Sequence, residues 1–208
     1  MALHPRDCEV DVVYLLHGVL ATAGVFGLLE DRLRQAGVEH VASFTYGPLR
    51  TIDSLARQLR SECQRIPEGA RLHLVGHSLG GVVARYYVQE CGGRRRVRQT
   101  ISLGSPFHGT TIARYLPPTL EGNLSPDSAL LAQLRDPARA APEVPHLSVV
   151  AADDLFVRPA MSAAFPTGEV EVLDEVGHNG LLFDPRVADL VCARICAPPA
   201  PAEAAGAA

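Results

Sequence analysis

Paired cysteines, long apolar runs and a strong charge of either sign are all missing from this chain, and each absence removes a class of protein. The five cysteines, Cys8, Cys63, Cys91, Cys192 and Cys196, are odd in number and form no C-x-x-C. That pattern offers neither a disulfide framework nor a zinc site. Cys192 and Cys196 stand four apart on an expected helix and read as a pair of small buried thiols. No apolar run approaches the length that spans a bilayer. The first residues carry Arg6, Asp7, Glu9 and Asp11 without an apolar h-region, so no secretory leader is visible and a reducing, cytoplasmic setting is expected. A formal net charge of −4 argues against nucleic acid as the main partner. The cluster Arg94, Arg95, Arg96 and Arg98 sits between a Gly-Gly pair and an expected strand and reads as a solvated connection.

What is present suits one globular domain. The chain has 208 residues, 47% hydrophobic and 20% charged, enough for a sizeable single core. That domain is expected over residues 1–197, and the Pro/Ala-rich stretch 198–208 reads as a disordered tail. Neither internal repeats nor a dividing linker is visible.

Short β-rich runs alternate with longer helical patterns, the signature of an α/β fold whose parallel sheet is covered on both faces. Strands are expected at 10–16, 38–46, 71–75, 97–103, 147–151 and 169–173. A helix over 24–36 ends at Gly37. Another begins near Thr51, with a buried stripe of Ile52, Leu55, Leu59, Cys63 and Ile66 at helical spacing. A third runs from Leu79 to about Cys91. The proline-rich segment 109–147 holds one clear helix, with Ser125 as N-cap and Pro126 at N1. The last helix starts from Asp184 and Pro185 and runs to about Ala197.

Residues 71–81 read R-L-H-L-V-G-H-S-L-G-G, a strand that runs into G-x-S-x-G and then a helix. This is the arrangement of a nucleophile elbow, which lifts a serine hydroxyl out of an α/β sheet. The crowded turn leaves no room for a Cβ at Gly76 or Gly80. Ser78 is therefore the candidate nucleophile. A serine hydroxyl needs a base in contact and a group that orients the base. On such sheets these follow in the order acid, then His, on loops after later strands. Asp153 and Asp154 both follow the strand at 147–151. Of the eight histidines, only His178 lies beyond them in a Gly-flanked loop. An oxyanion hole needs two backbone N–H groups. Leu79, at the head of the elbow helix, and Val19, in the loop L-L-H-G-V after the first strand, are the candidates. His17 precedes the acid and reads as shaping that loop, and His77 as packing beside the strand.

These motifs resemble the bacterial GHSLGG-type triacylglycerol lipase and esterase branch of the α/β-hydrolases. The resemblance rests on L-L-H-G-V at 15–19, G-H-S-L-G-G at 76–81, S-L-G-S-P-F-H-G-T at 102–110, and A-D-D-L-F-V-R-P through E-V-G-H-N-G-L-L. It implies a compact α/β-hydrolase fold of about six mostly parallel strands with a small or absent lid. The implied activity is cleavage of carboxylic esters through a Ser-His-Asp triad and an acyl-enzyme. The family's D-x-x-V pattern favours Asp154, paired with Val157, over Asp153. Substrate contact is expected from His17, Gly18, Phe107, Phe156 and Leu181, within a wider apolar set that adds Phe26, Leu28, Leu116 and Leu120. The implied partner is a small-molecule or lipid ester, with contact to a lipid surface as an accompanying expectation.

Some relatives bind calcium through an Asp two residues after the histidine. This chain has Gly180 there, so neither metal nor cofactor is expected. Many relatives are secreted, which makes secretion the alternative to the cytoplasm. An acyltransferase or thioesterase would use the same residues, and a non-catalytic binding module on this fold is a third reading.

Overall fold

The computed structural model describes residues 10–19, 21–47 and 50–196. The expected tail at 198–208, the first nine positions and the last position of the expected domain, with Arg6, Asp7, Cys8 and Glu9 among them, lie outside the described residues.

Six strands form one sheet: β1 (Asp11–Leu16), β2 (His40–Phe44), β3 (Arg71–His77), β4 (Val97–Leu103), β5 (His146–Ala151) and β6 (Glu169–Leu173). Their order is β2-β1-β3-β4-β5-β6, and every neighbouring pair is parallel. Between them run α1 (Gly27–Gln35), α2 (Ile52–Cys63), α3 (Leu79–Glu90), α4 (Pro118–Leu124), α5 (Ala129–Leu134) and α6 (Pro185–Cys196). The expected parallel α/β architecture is the one observed.

Side chains alternate across a strand, and the two apolar cores follow from that alternation. Leu16, Leu72 and Leu74 face a core shared with α2 to α5, which contribute Leu59, Val83, Leu124 and Leu131. Leu15, Val75, Ile101 and Val149 face the other core, closed by Leu33 of α1 and Val191 of α6. Both faces are therefore covered, as buried parallel strands require. From β1 the chain steps to β2 on one side and then to β3 on the other. The order thus reverses between β1 and β3, and a crevice opens at their C-terminal ends.

Local signals set several boundaries. Thr51 caps α2 by accepting from the Ser54 N–H at 3.3 Å. Asp184 accepts from the Arg186 N–H at 2.8 Å, with Pro185 opening α6. Arg96, from the basic cluster, donates to the carbonyls of Cys63 and Ile66 at 3.2 and 2.8 Å. It closes the C-terminal end of α2, where the last carbonyls lack helical partners.

Three expectations are corrected. The segment 109–147 holds two α-helices, not one, and Ser128 rather than Ser125 caps the second, accepting from the Leu131 N–H at 3.3 Å. Ser125 instead ends α4, and the Ser128 N–H donates to its carbonyl at 3.0 Å. Ser-Pro-Asp-Ser is thus the turn between two helices, with proline's fixed φ at its second position. The helix expected at 24–36 opens as a 3-10 turn over Ala23–Phe26 before α1. Finally, α6 turns Val187, Val191 and Ile195 inward, which leaves Cys192 half-buried and Cys196 exposed. Among the described residues, no helix is long and apolar enough to cross a membrane.

Candidate active site

The crevice between β1 and β3 is where the nucleophile elbow sits. Ser78 follows β3 directly with φ 54° and ψ −119°, a strained conformation for a residue with a side chain. Its N–H donates to the Leu103 carbonyl at 2.9 Å, which ties the turn to β4. The flanking glycines are sterically required. A Cβ on Gly76 would come within 2.3 Å of the Gly81 nitrogen, and one on Gly80 within 2.0 Å of the Leu16 carbonyl oxygen. Gly80 thus lets α3 press against the end of β1, and this brings the loop after β1 beside the serine. A Cβ on Gly18 of that loop would lie 3.1 Å from the Ser78 Cβ.

The loops after β5 and β6 supply an imidazole and a carboxylate. His178 Nδ1 lies 2.7 Å from Asp154 Oδ2. The other carboxylate oxygen accepts from the Phe156 and Val157 N–H groups, both at 2.8 Å. Burial would raise the Asp154 carboxyl, but the bonds from His178, Val157 and Phe156 outweigh it and hold the group below its usual range. An ionised Asp154 must accept from Nδ1–H, so the His178 Nε2 lone pair is left free as a base. Of the adjacent acids, Asp154 is the one the structure brings to the imidazole; Asp153 is exposed. Gly104, at φ 61°, gives His178 its space, since a Cβ there would lie 3.1 Å from Nδ1.

His77 bridges the two halves of the site. Its Nε2 lies 3.2 Å from the His178 carbonyl oxygen and must carry the proton to bond it. Burial holds its pKa down to about 3, so it is a neutral spacer rather than a base.

A cavity of about 440 Å³ opens over these groups, lined among others by Gly18, Val19, Ser78 and His178. Its far wall comes from Thr110, Ile112, Leu116 and Leu124, and its rim from Phe156, Asn179 and Phe183. Large apolar side chains stay exposed in the same loops: Tyr115, Leu155, Phe156, Met161 and Phe183. Among the described residues, neither the Val19 nor the Leu79 backbone N–H has a hydrogen-bond partner. Both are free to meet a developing negative charge.

Not every expected substrate contact reaches this cavity. Gly18, Phe156 and Leu116 line it. Phe107 is fully buried and packs on Phe165 and His146 with ring centroids 4.9 and 5.4 Å away. Leu181 turns beneath Gly104, and Phe26 and Leu120 are core residues. His17 and Leu28 do not line it either. Of the wall from 110–124, Leu116 was anticipated, whereas Thr110, Ile112 and Leu124 were not, nor was Asn179. The signal for the wall was present in the apolar spacing Ile112, Leu116 and Leu124, which the surrounding prolines obscured.

A family model described as "Palmitoyl protein thioesterase" matches residues 13–139, from β1 through the elbow and both helices of the 109–147 segment. The match ends before Asp154 and His178. No curated protein sequence matches the chain. Among solved structures, the mature form of the Bacillus licheniformis lipase BlEst2 superposes with a TM-score of 0.74 at 14% identity, covering 93% of this chain and 94% of that one. Phospholipase PlaB from Legionella pneumophila gives 0.71 at 13% identity, covering 91% of this chain and 60% of its own. The metagenomic carboxyl esterase MGS0156 gives 0.67 at 16% identity, with 89% and 74% covered. At these identities the likeness is one of fold, the α/β-hydrolase fold.

Proposed function

The chain belongs to the palmitoyl protein thioesterase family, and from that premise we propose that it is a serine hydrolase of acyl esters and thioesters. One observation carries the reading. A histidine whose Nδ1 is held by a buried carboxylate opens onto the same cavity as a serine on a strained elbow. Ser78 Oγ attacks the acyl carbonyl while His178 Nε2 takes its proton. The tetrahedral oxyanion forms beside the Val19 and Leu79 N–H groups, each worth roughly 3 kcal/mol in a site of this kind. As the intermediate collapses, His178 returns the proton to the departing alcohol or thiol. Water, deprotonated by the same imidazole, then releases the acid and regenerates Ser78.

Apolar lining from Ile112, Leu116, Leu124 and Phe156 supports an acyl chain as the group that fills the pocket. The exposed apolar side chains in the surrounding loops support contact with lipid. The family match favours a thioester leaving group. The G-H-S-L-G-G elbow favours an oxygen ester of the lipase branch, and the chemistry at Ser78 is the same for both. Hydrolysis of p-nitrophenyl esters of increasing chain length, beside matched S-acyl thioesters and a triolein emulsion, separates these. The account expects cleavage of both acyl series and its loss in Ser78→Ala. Full activity in purified Ser78→Ala would end the serine reading.

A further inference from the structure

The Gly18 loop has to present a backbone N–H at a fixed angle, yet Gly18 itself has little room for a side chain. A Cβ on Gly18 would lie 3.1 Å from both Ser78 Cβ and His77 Nδ1. The Val19 N–H itself is unpartnered among the described residues. Its direction must be set from elsewhere, and the contacts around His17 and Tyr46 do so.

Tyr46 lies just beyond β2, the strand that neighbours β1. Its ring stacks on the His17 imidazole with centroids 4.1 Å apart and planes 17° from parallel. Its hydroxyl donates to the His17 carbonyl. Its own N–H points at His17 Nε2 across 3.4 Å. With Nε2 accepting, the imidazole proton belongs on Nδ1, which lies 2.8 Å from the Gly18 carbonyl oxygen and donates to it. That carbonyl also receives the Ala21 N–H at 3.4 Å. A trans peptide is planar, with its C=O and N–H on opposite sides. Fixing the Gly18 carbonyl therefore fixes the N–H of the same peptide unit, which is that of Val19.

We infer that Tyr46, acting through His17, is a positioning residue that aims the Val19 N–H at the oxyanion. The inference rests on the serine-hydrolase reading above, in which Val19 is an oxyanion donor. Neither side chain touches substrate: His17 and Tyr46 are both absent from the cavity lining. Burial raises the Tyr46 phenol above its usual range, so it remains a protonated donor throughout the working range of the enzyme.

The test compares Tyr46→Phe, which keeps the stacked ring and loses the hydroxyl, with Tyr46→Ala, which loses both. Rates are normalised to active sites titrated with a fluorophosphonate, so loss of folded protein does not count. A misdirected donor should cost less than a deleted one, so kcat is expected to fall about ten-fold in Tyr46→Phe and further in Tyr46→Ala. KM should stay within about two-fold of the parent, because ground-state binding does not use this donor. Affinity for an alkyl boronic acid, which forms a tetrahedral anion on serine, should fall in proportion to kcat. Parental kcat in Tyr46→Phe, or a fall in kcat with boronate affinity unchanged, would overturn the inference while leaving the serine reading intact. A boronic acid that does not inhibit the parent, or an active Ser78→Ala, would overturn both.

Discussion

Two aspartate–histidine pairs stand at opposite ends of the one sheet, and they differ in what surrounds the imidazole. At the N-terminal end of β1 and β3, Asp11 and His73 lie 2.8 Å apart. At the C-terminal end, Asp154 and His178 lie 2.7 Å apart. What differs is the second nitrogen. His73 Nδ1 accepts from the Gln99 amide at 2.9 Å, and the same amide donates to the Arg194 carbonyl in α6. Asp11 is also held by Arg71 through two bonds of 2.7 and 2.6 Å. Both imidazole nitrogens of His73 are used, and the result is a clamp across β1, β3, β4 and α6. His178 keeps Nε2 in hand and opens onto a cavity that contains Ser78. In the proposed function, the unused lone pair rather than the charge pair itself is what carries the chemistry.

The largest expected effect comes from breaking the second pair. Asp154→Asn should lower kcat by about 10⁴, because the imidazole loses both its tautomer and its counter-charge. Its melting temperature should move far less than its rate. Asp11→Asn is the mirror experiment. It should cost about 2 kcal/mol of stability in urea unfolding, through loss of the carboxylate charge that Arg71 and His73 meet. Turnover per titrated active site should stay within about two-fold of the parent. Equal loss of turnover in the two variants would erase the distinction.

A smaller effect should appear in the pH dependence of stability. Burial, the largest influence, lowers the His73 pKa, and the Asp11 bond does not fully offset it. His77 and His146 are lowered too, again chiefly by burial. The unfolded chain then binds more protons than the native one below about pH 6.5, so stability falls as the pH drops through that point. For His77, held at about 3, the loss between pH 7 and pH 5 amounts to about 2 kcal/mol. Asp11 and Asp154 are lowered carboxylates, and their contribution is lost only in stronger acid, below their usual value of 3.8. Urea midpoints measured from pH 7 to pH 5 should therefore fall for the parent and fall less for His73→Gln. A flat profile for the parent would contradict the neutral, buried state assigned to these histidines.

Much of this was legible in the residues because the constraints were local. The strands at 97–103 and 169–173 are observed at the expected limits, since apolar runs bounded by turn residues admit few alternatives. Gly76 and Gly80 announced a turn with no space around it, and the Gly81 nitrogen and Leu16 carbonyl oxygen supply that crowding. What escaped was direction. An aromatic residue in a loop carries no mark of whether it faces a cavity or a core, and Phe107 closes the core against Phe165. Ser125 before Pro126 reads as an N-cap, yet the hydroxyl that accepts from the Leu131 N–H is that of Ser128, three positions on. The pairing of Tyr46 with His17 spans 29 positions and depends on strand order, which short-range patterns do not encode.

The central claim is that Ser78 alone becomes acylated, with the Asp154–His178 pair driving it. It is tested most directly by the rate and site of fluorophosphonate labelling, read by intact mass and peptide mapping. The account predicts one adduct per chain, on Ser78, absent in Ser78→Ala. Labelling should be slowed by orders of magnitude in Asp154→Asn and unchanged in Asp11→Asn. An adduct on another residue, or labelling of Ser78 at the parental rate in Asp154→Asn, would contradict it.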